Sequence, residues 1–163
     1  MKISESNLKK IDGKKYRIAI IASKFNQSVT DGLVRGAYAA LTKKNVNEKN
    51  IKIFYVPGAF EIPLALKKIC NSKSGKKFNG VITLGCVIKG ETAHFEYISN
   101  TVSSGIQQIS LQHNMPVGFG VLTCYTPGQA FERSVSKSPT ADNNKGYESA
   151  LAVLEMISLL KKI

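Results

Sequence analysis

GVITLGCVIKGETAHFEYISNTVSSGIQQI, residues 80–109, places an uninterrupted apolar run directly before a helical repeat. The run, Gly80–Ile88, has the length and the apolar continuity of a buried strand. The small-residue turn Lys89-Gly90-Glu91-Thr92 follows, then His94, then apolar residues at Phe95, Ile98, Val102, Ile106 and Ile109, spaced for one face of a helix. A strand that feeds a helix through a short turn is the first half of a βαβ unit. The same turn brings an imidazole to the first helical turn, where free backbone N–H groups welcome an anion.

Outward from this unit the alternation repeats. Arg17–Ala22 (RIAIIA) predicts a short strand buried on both faces, and 27–44 carries Val29, Leu33, Ala37, Ala40 and Leu41 at helical spacing. Ile51–Val56 predicts a second strand, and 61–71 a helix with Pro63 in its first turn, where a missing N–H costs nothing. After the helix over 92–113 come a strand over 116–123 (PVGFGVLT), a short helix over 127–134, a polar loop over 135–144 and a final helix over 145–162. Four strands separated by helices specify an α/β fold: a four-stranded parallel sheet with right-handed crossovers and helices on both faces, a three-layer sandwich. Ligands of such sheets sit off the carboxyl ends of the strands, here 23–26, 57–61, 86–92 and 123–125.

Composition narrows the classes. The 163 residues read as one domain, with 1–15 an extended or flexible arm. No run approaches the ~18 apolar residues of a membrane span, and the polar, lysine-dotted start lacks a secretory signal. Three cysteines, Cys70, Cys86 and Cys124, are far apart and without a CxxC, which points to reduced thiols in a cytoplasm rather than disulfides or zinc. The net charge of +12 invites a nucleic-acid reading, but the lysines are scattered in pairs and only Arg17, Arg35 and Arg133 are arginine. Few aromatics interleave with them, so the charge reads as solvated surface, with neither nucleic acid nor membrane as partner.

The strand-end loops carry the unusual residues, and each has a second, structural role open to it. Phe25 in Ser23-Lys24-Phe25-Asn26 is either a staple on the next helix or a stacking face for a flat heterocycle. In VPGAFEIP, residues 56–63, two prolines and a glycine make a rigid turn that aims Glu61; its carboxylate serves either the helix dipole or a ligand's N–H and O–H donors. Gly90 and Thr92 suit a phosphate cradle, and His94 beside them is either structural or a proton carrier near neutral pH. His113, in a polar helix end, reads as a C-terminal cap. Arg133 is either a surface cation or a planar fork for phosphate oxygens. No GxGxxG follows the first strand and no P-loop is present, which removes the usual dinucleotide and ATP folds. A flat polar heterocycle and an organic phosphate remain as ligands.

In order, (S/R)-(K/R)-F-N, VPGAFEIP, G-x-V-I-(K/R)-G-x-T-x-H-(F/Y), PV-x-FG and N-K-G resemble the 6,7-dimethyl-8-ribityllumazine synthase family, over nearly the whole chain from Tyr16 to Ile163. The resemblance implies a flavodoxin-like sandwich and a cytoplasmic transferase of riboflavin biosynthesis. It implies condensation of 5-amino-6-(D-ribitylamino)uracil with 3,4-dihydroxy-2-butanone 4-phosphate, releasing phosphate and water, with no metal or other cofactor. By motif, Phe25 would stack on the pyrimidine ring, Ala59, Phe60 and Glu61 would hold the ribityl chain and ring edge, and Cys86, Val87 and Ile88 the pyrimidine edge. Glu91 and Thr92 would bind the phosphate with Arg133 as its cationic partner, and His94 would carry protons. Phe119 would reach the site from a neighbouring subunit, and Lys145 would approach the pyrimidine carbonyl.

The resemblance also implies a homo-oligomer with sites at subunit interfaces, and it allows association with riboflavin synthase. Two departures stand out. Cys86 occupies a position where Thr is common, and backbone contacts there make a small effect the expectation. The stretch SVSKSPTADNNKG, residues 134–146, is longer than the compact A-G-(T/S)-K-A-G-N-K-G link and lacks its glycines. In the family that compact link accompanies icosahedral capsids and longer links accompany free pentamers, so a homopentamer is expected, with the place of Lys137 left open. The competing class is a non-catalytic flavin- or lumazine-binding module, which needs the aromatic face and polar edges but has no use for a phosphate cradle with a histidine.

Overall fold

A computed structural model describes residues 11–72, 77–135 and 143–163. The elements run β1 (Ile18–Ser23), α1 (Gln27–Lys43), β2 (Ile51–Val56), α2 (Ile62–Cys70), β3 (Gly80–Ile88), α3 (His94–His113), β4 (Val117–Cys124), α4 (Pro127–Glu132) and α5 (Lys145–Leu160). Short 3₁₀ turns at Glu48–Asn50 and Ala59–Glu61 precede β2 and α2. The helix expected over 61–71 takes in Glu61, the last residue of the second of these turns, and α2 itself starts at Ile62. Elsewhere the expected elements stand, with ends moved by one or two residues. The polar loop expected over 135–144 falls mostly outside the described residues, as does Lys137.

The four strands form one parallel sheet in the order β2-β1-β3-β4. β1 is buried along its whole length and β3 from Gly80 to Cys86, which is why both sequences are continuous apolar runs rather than alternating ones. Ile18, Ile20, Ala22, Ile82 and Leu84 face α1 and α5; Ala19, Ile21, Val81 and Val121 face α2 and α3. The result is the three-layer α/β sandwich. β2 is an edge strand, and its Ile53, Phe54 and Tyr55 remain exposed. Each large apolar side chain fully withdrawn from water contributes ~1.5–3 kcal/mol, and the fully buried Ile18, Ile20, Leu33, Ile62, Leu66, Ile82 and Leu154 draw on all three layers.

α1 and α5 approach very closely, and this contact fixes the chain on either side of 136–142. A Cβ on Gly146 would collide with the Leu33 carbonyl, and one on Gly36 with the Asn144 side chain. Asn144 itself is buried. Its Nδ2 donates to the carbonyls of Gly32 (3.0 Å) and Ser134 (2.6 Å), and its Oδ1 accepts from the Tyr147 N–H (3.1 Å), capping α5. One side chain thereby ties α1, the end of α4 and the start of α5 together.

Substituting Gly146→Ala forces a methyl against backbone that cannot step aside, so the unfolding free energy should fall by ~1–3 kcal/mol. Gly128→Ala, in the open first turn of α4, should leave it unchanged or slightly raised. Urea melts of both variants, read at constant slope, check the contrast; equal midpoints would remove the close packing of α1 on α5 as its cause.

Candidate active site

The strand order reverses between β1 and β3, and the loops that follow them depart to opposite faces of the sheet. That divergence opens a crevice at the carboxyl edge. The loops around it are sewn together by the carbonyls at the strand ends. Lys24 N–H donates to the Val56 carbonyl (2.8 Å) and Phe25 N–H to the Pro57 carbonyl (3.1 Å), so the turn after β1 lies against the turn after β2. Asn26 adopts the left-handed conformation (φ 58°, ψ 45°), which Asn tolerates better than most residues, and its Nδ2 donates to the Cys86 carbonyl of β3 (2.9 Å). Lys89 N–H donates to the Cys124 carbonyl (2.9 Å), which joins the turn after β3 to the end of β4.

On this frame Phe25 is 70% exposed. A staple would be covered by the helix it packs on, and Phe25 is not; its ring is presented to solvent. Glu61 Oε2 accepts the Gly58 N–H at 2.8 Å, which locks the turn that carries Ala59 and Phe60. The carboxylate thus has a structural duty, while its second oxygen is not engaged by that bond. Ala59 is buried and Phe60 is 55% exposed. Cys86 is buried, Val87 and Ile88 are half-buried, and Glu91, Thr92 and His94 are exposed at the start of α3. Thr92 Oγ1 accepts weakly from the His94 N–H (3.5 Å). At the far end of α3 His113 is the last helical residue, and Asn114 in the left-handed conformation reverses the chain.

Lys89 also lies 3.5 Å from Glu96 and over the Tyr125 ring, which in turn meets Phe95 at 6.1 Å. These contacts brace the segment that carries Glu91 and Thr92. Burial, reinforced by the neighbouring Cys124, pushes the Cys86 thiol up to about 12. Burial raises Cys124 as well, with Arg133 opposing it.

Phe119, Arg133 and Lys145 form a second group. They line an open groove of about 410 Å³ along β4, together with Glu148, and none of Phe25, Phe60, Glu61, Thr92 or His94 takes part in that lining. Phe119 stands in mid-strand opposite Thr83 and is 48% exposed. Arg133 closes α4, its Nη1 donating to the Gln129 carbonyl (2.9 Å), and its own carbonyl accepts the Lys145 N–H (2.9 Å). Lys145 Nζ meets both oxygens of Glu148 at 2.7 and 2.8 Å. The thirteen candidate residues thus fall into a set at the ends of β1, β2 and β3 and a set along the open edge of β4. Among the described residues no group of His, Cys, Asp or Glu side chains is placed to hold a metal ion, and no helix is long and apolar enough to cross a membrane.

Sequence reasoning did not find Asn26, Glu148 or Asn144 as working side chains. Asn144 had a legible signal, a polar cap just before an apolar helix. Glu148, three residues after Lys145, fits an ion pair across one helical turn. The partner of Asn26 lies 60 residues away, and nothing local announces it.

The sequence model of a family described as 6,7-dimethyl-8-ribityllumazine synthase matches residues 15–161 of the chain.

Because burial disfavours the thiolate, Cys86 stays a neutral thiol at all pH values well below 12. Iodoacetamide at about pH 8 should therefore leave Cys86 and Cys124 unmodified in the native protein and alkylate both after unfolding. Peptide mass mapping reads the outcome, and rapid native labelling of Cys86 would contradict its burial.

Proposed function

The chain belongs to the 6,7-dimethyl-8-ribityllumazine synthase family, and from that premise we propose that it condenses 5-amino-6-(D-ribitylamino)uracil with 3,4-dihydroxy-2-butanone 4-phosphate. The observation that supports the reading is the sewn crevice at the carboxyl edge of the sheet, whose loops carry an exposed aromatic ring and a carboxylate that locks its own turn, with a helix start bearing Thr92 and His94 following β3. Phe25 supplies the face on which the pyrimidine stacks. Cys86, Val87 and Ile88 border the ring edge at the end of β3, while Ala59, Phe60 and Glu61 hold the ribityl chain and the ring. Glu91 and Thr92 receive the phosphate at the N-terminal end of α3, where the helix dipole favours it.

The chemistry asks mainly for proton movement. The 5-amino group attacks the ketone and water leaves as the Schiff base forms. Phosphate is then eliminated, and the 6-ribitylamino nitrogen closes the second ring with loss of water. Each step moves a proton, including the one lost from the carbon beside the imine as phosphate leaves, and we assign that transfer to His94, which is exposed at the first turn of α3. The condensation is bimolecular and intrinsically feasible, so holding both partners in register supplies most of the acceleration.

Phe119, Arg133 and Lys145 complete the site from a neighbouring copy. Their position along the open edge of β4, away from the crevice of their own chain, supports this arrangement. The guanidinium then meets the phosphate, the ammonium of Lys145 approaches the pyrimidine carbonyl, and the Phe119 ring closes over the heterocycle. The assembly we infer is a homopentamer. The long stretch between Arg133 and Lys145 supports free pentamers rather than a closed shell.

Incubation of the protein with both substrates should yield lumazine fluorescence and stoichiometric phosphate; binding without turnover would instead favour a flavin- or lumazine-binding module. His94→Ala should lower the rate by about 10- to 1000-fold without abolishing it, since register remains when the proton carrier is gone. Loss of all turnover with substrate binding intact would contradict that assisting role. Light scattering should give the mass of five chains, and hollow shells by negative-stain microscopy would overturn the assembly.

A further inference from the structure

β3 is longer than the partner it has on its β1 side. The β1–β3 ladder ends at Ala22–Leu84, whereas β3 stays paired with β4 as far as Ile88–Cys124. β1 turns away toward β2, where Ser23 still faces Val56 and the next two N–H groups bond the Val56 and Pro57 carbonyls. Residues Gly85–Ile88 therefore border a notch at the point where the strand order reverses. Main-chain groups of a strand face alternate sides. Lys89 N–H is turned to β4, so the groups of Cys86 and Ile88 face the notch.

Asn26 enters this notch. Its Nδ2 donates to the Cys86 carbonyl at 2.9 Å, taking the place of the backbone N–H that a continuing β1 would have supplied. It can do so because its left-handed backbone reverses the chain immediately after Phe25. The backbone carbonyl of Asn26 itself accepts the N–H groups of Val29 (3.0 Å) and Thr30 (3.1 Å), which fixes the residue to α1.

We propose that Asn26 is a positioning residue that ties the aromatic face of Phe25 to the hydrogen-bonding edge of β3 and so sets the distance between the two surfaces that grip the pyrimidine. By occupying the Cys86 carbonyl it leaves Ile88 as the next main-chain position open to the ring. The proposal rests on the condensation reading above and deepens it. Asn26 acts on binding of the aminopyrimidine alone, because its side-chain hydrogen bond reaches β3 at Cys86, whereas the phosphate-bearing partner is held by the start of α3.

Two variants separate this from a structural role. Asn26→Gly keeps the left-handed backbone free of strain and removes the amide. Asn26→Asp keeps the reach and sets a carboxylate against a carbonyl oxygen. In both, KM for the aminopyrimidine should rise about tenfold, the effect of one lost hydrogen bond. KM for the butanone phosphate should stay near that of the parent, while the thermal midpoint falls modestly, as the loss of one donor to a buried carbonyl requires. An unchanged aminopyrimidine KM in folded Asn26→Gly would overturn the proposal, as would both KM values rising together. If the parent chain turns over the substrate pair while the variants match it, the condensation stands and the role of Asn26 falls. A parent chain with no turnover sinks the condensation, and the role of Asn26 with it.

Discussion

A parallel sheet leaves a row of carbonyls at its carboxyl edge that no strand can satisfy, and in this protein several of those groups govern loops. Val56, Pro57, Cys86 and Cys124 all accept hydrogen bonds from the segments that follow β1 and β3. An unmet buried carbonyl costs ~1–3 kcal/mol, so these bonds confine segments that would otherwise be mobile. The requirement comes from the backbone and would hold for any side chains. Its consequence is chemical: the turns that carry Phe25 and Glu61 are held to each other and to β3, and the turn that carries Thr92 is held to β4, before any ligand arrives.

The opposite demand operates on the helices. α1 and α5 lie too close for side chains at Gly36 and Gly146, and they pack on the face of the sheet away from α2 and α3. Close packing there is rigid, since one methyl has nowhere to go. The site is therefore mounted on a stiff body, and its freedom is confined to exposed side chains such as Phe25, Phe60 and His94. A stiff backbone with exposed tips suits the condensation proposed above, in which register supplies most of the acceleration.

Much of the fold could be read along the chain, because burial of β1 and β3 on both faces imposes continuous apolar runs and the helices carry their own period. Strand order could not. β2 reads as apolar in IKIFYV yet sits at an edge with Lys52 to Tyr55 exposed, and composition does not distinguish an edge from a centre. At the candidate site the turn residues marked the loops, and Phe25, Glu61, Thr92 and His94 lie on or beside them. The joining bonds were hidden for a definite reason: Asn26 to Cys86 spans 60 residues, and the Arg133–Lys145 contact exists only once α4 and α5 have docked. The capping duty of Glu61 was one of the two roles open to it, and the sequence had no means of choosing between them.

The bond from Lys145 N–H to the Arg133 carbonyl, with Asn144 bonding Ser134 beside it, closes a ring of chain at its neck. What lies between is released from any duty to hold the two cations together. Lengthening a loop whose ends are already joined costs little, ~0.6 kcal/mol per doubling. With the neck closed, changes in the length or sequence of the intervening segment need not alter the spacing of Arg133 and Lys145. Loop length and charge spacing are then independent variables within one short stretch of sequence.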